Sequence, residues 1–138
     1  MTREQALAIA EWCVAEQKIM LIVISAPEDE SWRRSIVHEV NSPLCRSFPG
    51  QGNESFAAIA SLISGARLVV TVDTSIIHLT SAARTPVLGL YNSHSHAKEW
   101  HPRNTLSRAL APREKFVRTI PVAEIQSALQ EFSAEVGL

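Results

Sequence analysis

Asp73-Thr74-Ser75-Ile76-Ile77-His78 follows the apolar run Leu68 to Val72 directly and opens what reads as a short helix. A strand that passes through hydroxyl residues into a helix aims backbone N–H groups and a positive dipole end at whatever lies above the sheet. That arrangement suits an anion. Thr74 and Ser75 add hydroxyl donors, His78 falls on the same helical face three residues after Ser75, and Asp73 can accept from a hydroxyl. The plainer alternative is that Asp73 and Thr74 cap the helix and His78 is a half-buried, satisfied histidine. Asp73, Ser75 and His78 also supply the residue types of a hydrolytic triad. All three sit within one strand-to-helix turn, however, and no G-x-S-x-G elbow exposes the serine.

The elements that must position this turn are legible as periodic patterns. Thr2 and Gln5 form a capping box ahead of Ala6, Ile9, Ala10, Cys13 and Val14, a helix with one apolar face that ends near Gln17. Ile19 to Ile24 is a continuous apolar run, suited to a strand buried on both faces, and Pro27 stops it. Asp29 to Val40 repeats apolar residues at Trp32, Ile36, Val37 and Val40, a second helix. Pro43 and Pro49-Gly50-Gln51-Gly52 break the chain, and Asn53 caps a third helix that runs through Ile63 to Gly65. Trp12, Trp32 and Phe56 recur on apolar helix faces and read as core. The segment around Cys45 has no clear assignment.

Leu68 to Val72 is the next strand, Ser75 to Ala83 the next helix, and Pro86 to Tyr91 another buried strand. Leu106 to Leu110 and Phe116 to Thr119 are two further short strand candidates, followed by an amphipathic helix from Pro121 to about Val136 with proline in its first turn. Strands alternating with helices imply an α/β fold with a parallel sheet and helices on both faces. Ligands of such sheets bind beyond the carboxyl ends of the strands, where Asp73 and the Asn92–His101 loop both fall. Neither a P-loop nor a G-x-G-x-x-G is present.

At 138 residues and 46% hydrophobic content the chain reads as one soluble domain, residues 1–138. Its net charge of -1 and scattered Lys and Arg give no nucleic-acid footprint. Two cysteines, no signal peptide and no apolar run approaching about 20 residues point to a reduced, cytoplasmic setting. Cys13 lies in the first helix and reads as a small buried hydrophobe. His94, His96 and His101 raise the question of a metal, but no Cys or carboxylate set stands at ligand spacing, so no metal is expected and a site-lining loop fits better.

The run Ser55 to Leu79, with its strand, Asp73, Thr74, Ser75 and His78, continued by Pro86-Val87-Leu88-Gly89-Leu90-Tyr91, resembles the ADP-heptose:lipopolysaccharide heptosyltransferases, glycosyltransferase family 9. The turn Ser25-Ala26-Pro27-Glu28-Asp29-Glu30 is similar to the family's small-residue, proline, acidic turn, so the resemblance reaches most of the chain. Ser75 stands where glycine is common, and Asn92-Ser93-His94-Ser95-His96 replaces a Gly-Pro-Thr-like turn.

The resemblance implies a Rossmann-like domain, the C-terminal, donor-binding half of a GT-B enzyme. It assigns Asp73, Thr74, Ser75, His78 and Asn92 to a nucleotide-sugar donor, with Asp29 toward the ribose. Glu54 occupies a place where some relatives put an apolar residue against adenine. Activity is expected to be inverting transfer of heptose from ADP-heptose to the lipopolysaccharide inner core, with the donor as substrate and no cofactor. The resemblance places the catalytic base and acceptor site on an N-terminal domain outside this chain, and the first C-domain strand before its start. The chain alone is therefore expected to be inactive, and membrane association, at the inner face of the inner membrane, is expected only of the complete enzyme. Unmet apolar surface implies self-association into a homo-oligomer. The alternative is a non-catalytic α/β interaction module without a donor site.

Overall fold

In the computed structural model, residues 1–48 and 55–138 are described. The expected breakers at Pro49 to Gly52, the cap at Asn53 and the position of Glu54 lie outside them. The chain divides into two compact units, Thr2–Ser55 and Phe56–Leu138, the latter joined by Met1.

In the first unit, α1 (Arg3–Glu11) starts from the expected capping box: Gln5 N–H donates to Thr2 Oγ1 at 3.1 Å and Thr2 N–H to Gln5 Oε1 at 2.8 Å. A π-helical turn, Trp12–Glu16, continues it. The helix closes when Lys18 turns left-handed (φ 54°) and Ile19 N–H donates to Cys13 O at 3.0 Å. This closure takes Ile19 out of the following strand, so β1 spans only Leu21–Val23. It pairs in parallel with β2 (Cys45–Ser47), the segment that had no assignment. Between them a 3-10 turn, Pro27–Asp29, enters α2 (Glu30–Val40), which ends at a left-handed Asn41. Arg3 ties α1 to α2 through Ser35 Oγ (2.8 Å) and Glu39. The expectation that β1 is buried on both faces does not hold among the described residues. Ile22 and Met20 are exposed and border an open apolar hollow with Val37 and Cys45.

The second unit opens with α3 (Phe56–Ser64), whose last carbonyls are closed by Gly65 N–H and, at Ile63, by the buried hydroxyl of Thr85 at 2.9 Å. Phe56, expected in the core, is 64% exposed, since it is the first residue of a helix whose burial begins only at Ala58. Next come β3 (Val69–Val72), α4 (Ser75–Ala83), β4 (Val87–Leu90), α5 (His94–Glu99), β5 (Ser107–Leu110) and α6 (Val122–Glu135). The three strands form a parallel sheet in the order β3-β4-β5, with Val69 opposite Val87 and Val87 opposite Ser107. β4, in the middle, is buried at all four positions. Ile77 and Thr80 of α4 are buried in this unit, as are Ile125, Leu129 and Phe132 of α6. The architecture is the expected α/β one, parallel sheets flanked by helices.

Two local expectations are corrected. Phe116 to Thr119 is not a strand but a 3-10 turn at Val117–Thr119. The donors a ladder would use are taken by Asn92, whose backbone carbonyl accepts Phe116 N–H (3.0 Å) and whose Oδ1 accepts Val117 N–H (3.1 Å). Asn92 to His101 is not loop throughout, because Ser93 caps α5 by accepting His96 N–H at 3.2 Å. Pro121 takes the N-cap of α6, one position earlier than its first turn.

Gly89 and Tyr91 lie on one face of β4, and the Tyr91 ring folds back over the bare glycine. A Cβ at position 89 would stand 2.7 Å from Tyr91 Cε2. Gly89→Ala is therefore expected to displace the ring and lower stability by about 1–3 kcal/mol, measured by denaturant unfolding.

Burial pushes the Cys13 thiol up to about 11, aided by nearby Cys45, and burial, then the Asp73 charge, pushes Tyr91 up to about 12. In the unfolded chain these groups release protons near 9 and 10. Because the folded state keeps its protons longer, their contribution is intact below pH 9 and falls as pH rises toward 11 and 12. Unfolding free energy measured against pH should decline across that window, and Tyr91→Phe should remove the decline that begins at pH 10.

Candidate functional site

The carboxyl ends of β3 and β4 emerge side by side, since Asp73 N–H still donates to Leu90 O at 3.0 Å, one residue past the strand. Asp73 therefore starts from a rigid register. Thr74 turns extended (φ −144°, ψ 177°) and caps α4, with its Oγ1 accepting Ile76 N–H at 3.4 Å. That bond is at the long limit of a hydrogen bond, so the hydroxyl can be shared with a ligand at small cost. Thr74, Ser75 and His78 are all exposed. Two hydroxyls and an imidazole thus stand within the first turn of a nine-residue helix, where the dipole favours negative charge.

The residues after β4 complete the surroundings. Tyr91 is buried, and its hydroxyl reaches the carbonyl of Trp100 at 3.5 Å. The Trp100 ring and the His78 imidazole meet edge to face, centroids 5.8 Å apart and planes at 75°. His96 Nδ1 lies 3.3 Å from Asp73 Oδ2, with the carboxylate 20% and the imidazole 51% exposed. The strand-to-helix turn after β3 and the helix after β4 are thereby joined by two side-chain contacts.

Asp73, Thr74, Ser75 and His78 come together as one surface. Asn92 lies at the same sheet edge, where it fastens the segment after β5 through the two bonds to Phe116 and Val117. Asp29 belongs to the first unit, at the boundary between the 3-10 turn and α2, exposed and with no side-chain cap bond. Of the loop histidines, His94 is exposed and His101 Nε2 lies 3.2 Å from Ser107 Oγ. Among the described residues no three His, Cys, Asp or Glu side chains gather as a metal would require. No helix among them is long and apolar enough to cross a membrane.

Sequence reasoning gave no individual role to Tyr91, His96 or Trp100. The available signal was Ser93 three residues before His96, an N-cap spacing, with Trp100 one helical turn after His96.

The family model for glycosyltransferase family 9 (heptosyltransferase) matches residues 8–122. Among solved structures, the glycosyl transferase family 9 protein from Veillonella parvula DSM 2008 superposes with a TM-score of 0.78 at 14% sequence identity, over 98% of this chain. The chain spans 42% of the length of that protein. No curated protein matches it. At that identity the structural likeness establishes the fold, a GT-B-type α/β architecture, while the family match extends from α1 to the start of α6 and includes the whole Asp73–His78 turn. The chain belongs to glycosyltransferase family 9.

Proposed function

We propose that this chain is the donor-binding part of an inverting glycosyltransferase, moving heptose from ADP-heptose to the lipopolysaccharide inner core in the cytoplasm. The observation that carries the reading is the first turn of α4. Thr74 and Ser75 hydroxyls and the His78 imidazole are exposed together at its positive end, beyond the carboxyl ends of two parallel strands. A nucleoside diphosphate matches that arrangement in charge and in number of acceptor oxygens.

In the reaction, a base outside this chain takes the proton of the acceptor hydroxyl, whose oxygen bonds to the anomeric carbon from the face opposite the nucleotide. The bond from that carbon to the diphosphate oxygen breaks, and negative charge collects on the departing phosphate. The α4 dipole, the two hydroxyls and His78 meet that charge as it grows, so they assist the bond-breaking step rather than ground-state binding alone. Asp73 accepts from a donor hydroxyl. Asn92 serves the site through the segment it fastens. Alone, the chain binds the nucleotide without transferring sugar.

Binding and capping roles predict different outcomes for substitutions. His78→Ala should leave unfolding within about 0.5 kcal/mol of wild type, as is usual for an exposed position. The same substitution should weaken ADP binding on the order of tenfold by calorimetry, the loss expected for a charge-assisted hydrogen bond. Thr74→Ser, which retains both cap and donor, should preserve both properties. If His78→Ala changes stability and leaves ADP affinity untouched, the turn is a structural cap and the donor-site reading is wrong.

A further inference from the structure

Asp73 sets a problem for the site it belongs to. Its carboxylate stands immediately before the hydroxyls that would hold a diphosphate, and like charges repel strongly in a partly dry setting. The carboxylate is only 20% exposed, so water screens it incompletely. His96 Nδ1, at 3.3 Å, is the ring atom that can give it a hydrogen bond, and a positive charge when the ring is protonated. His78 has the opposite difficulty. It is exposed, where an imidazole without neighbours would sample several rotamers, and the Trp100 ring packs against it in a T-shaped contact.

Both partners come from one short segment, His96 from α5 and Trp100 from the C-cap that ends it. Trp100 N–H donates to His96 O at 2.9 Å, so the last turn of α5 holds the two residues four positions apart. The helix is capped at its start by Ser93, and at its end the buried Tyr91 hydroxyl lies 3.5 Å from the Trp100 carbonyl, a contact at the long limit of a hydrogen bond. Tyr91 in turn is set by Gly89 in the buried strand. A chain of contacts thus runs from the core of the sheet to both polar residues flanking the anion seat.

We infer that His96 and Trp100 are positioning residues of the donor site: His96 holds and offsets the Asp73 carboxylate so that a diphosphate can sit beside it, and Trp100 orients His78 toward the same phosphates. This rests on the donor-site reading above, and adds to it the helix after β4 as the part that makes the turn competent. His96→Asn, whose amide nitrogen takes the place of Nδ1, keeps the hydrogen bond. Trp100→Phe keeps an aromatic ring.

The test measures ADP affinity by calorimetry for the full chain and its variants, with the His78 and His96 ring signals followed by NMR before ligand is added. His96→Ala and Trp100→Ala are expected to weaken ADP about fivefold to tenfold, and His96→Asn and Trp100→Phe to stay within about twofold. Adding Asp73→Asn to His96→Ala should recover most of the loss, since the repulsive charge goes with it; a merely destabilised fold would not be rescued. In the free protein, the His78 ring signal should move in Trp100→Ala and stay put in His96→Asn. The inference is overturned if His96→Ala and Trp100→Ala bind as wild type does, or if Asp73→Asn rescues nothing. A wild-type chain that ignores ADP at every concentration overturns the donor-site reading as well, which sets that failure apart from one confined to α5.

Discussion

Burial of β4 is the constraint on which the second unit depends. Val87, Leu88 and Leu90 are fully inaccessible, and a strand with no polar face is stable only where neighbours satisfy its backbone on both sides. β3 and β5 supply those ladders in parallel register. Parallel pairing has a functional consequence, because all three strands then end on the same edge. Asp73, Tyr91 and Ala111 leave the sheet together, and everything polar that follows is gathered at one place without any long-range instruction beyond the apolar pattern.

At that edge two electrostatic demands compete. The start of α4, with its dipole and exposed hydroxyls, favours an anion, whereas Asp73 one residue earlier disfavours one. The Asp73 field reaches far enough to help hold the buried Tyr91 hydroxyl protonated. His96 sits where the conflict is sharpest, at hydrogen-bonding distance from the carboxylate. The helix that follows β4, α5, carries His96 to that point. The same helix brings Trp100 against His78, which couples the packing of the sheet, through Gly89 and Tyr91, to the orientation of an exposed polar group.

Much of this was legible in the sequence, and the exceptions have physical causes. The sequence pattern located α2, α4 and α6 to within a residue or two, and α1 only together with the π-helical turn that continues it, while the continuous apolar runs located β3 and β4. Short elements were harder. β1 lost its first residues to the closure of the preceding helix by Ile19, a tertiary detail that hydropathy does not encode. β2 is three residues with an arginine in the middle, too short for alternation to register. Phe116 to Thr119 has β-like composition, yet Asn92 takes its backbone donors. The Asp73–His78 turn was legible because strand, cap and helix follow one another in sequence. Its partners His96 and Trp100 were not, because the contacts that define them span more than twenty residues and depend on the parallel register of β3 and β4.

In the proposed function, the first turn of α4 binds the diphosphate of a nucleotide donor. The most direct measurement is an NMR titration of the labelled chain with ADP, and with UDP and GDP as controls, following the amides of Thr74 to His78. A donor site there gives saturable shifts concentrated in those amides, largest with ADP. Shifts absent with all three nucleotides, or scattered over the surface without saturation, would contradict it and leave the turn as a helix cap on a family 9 scaffold.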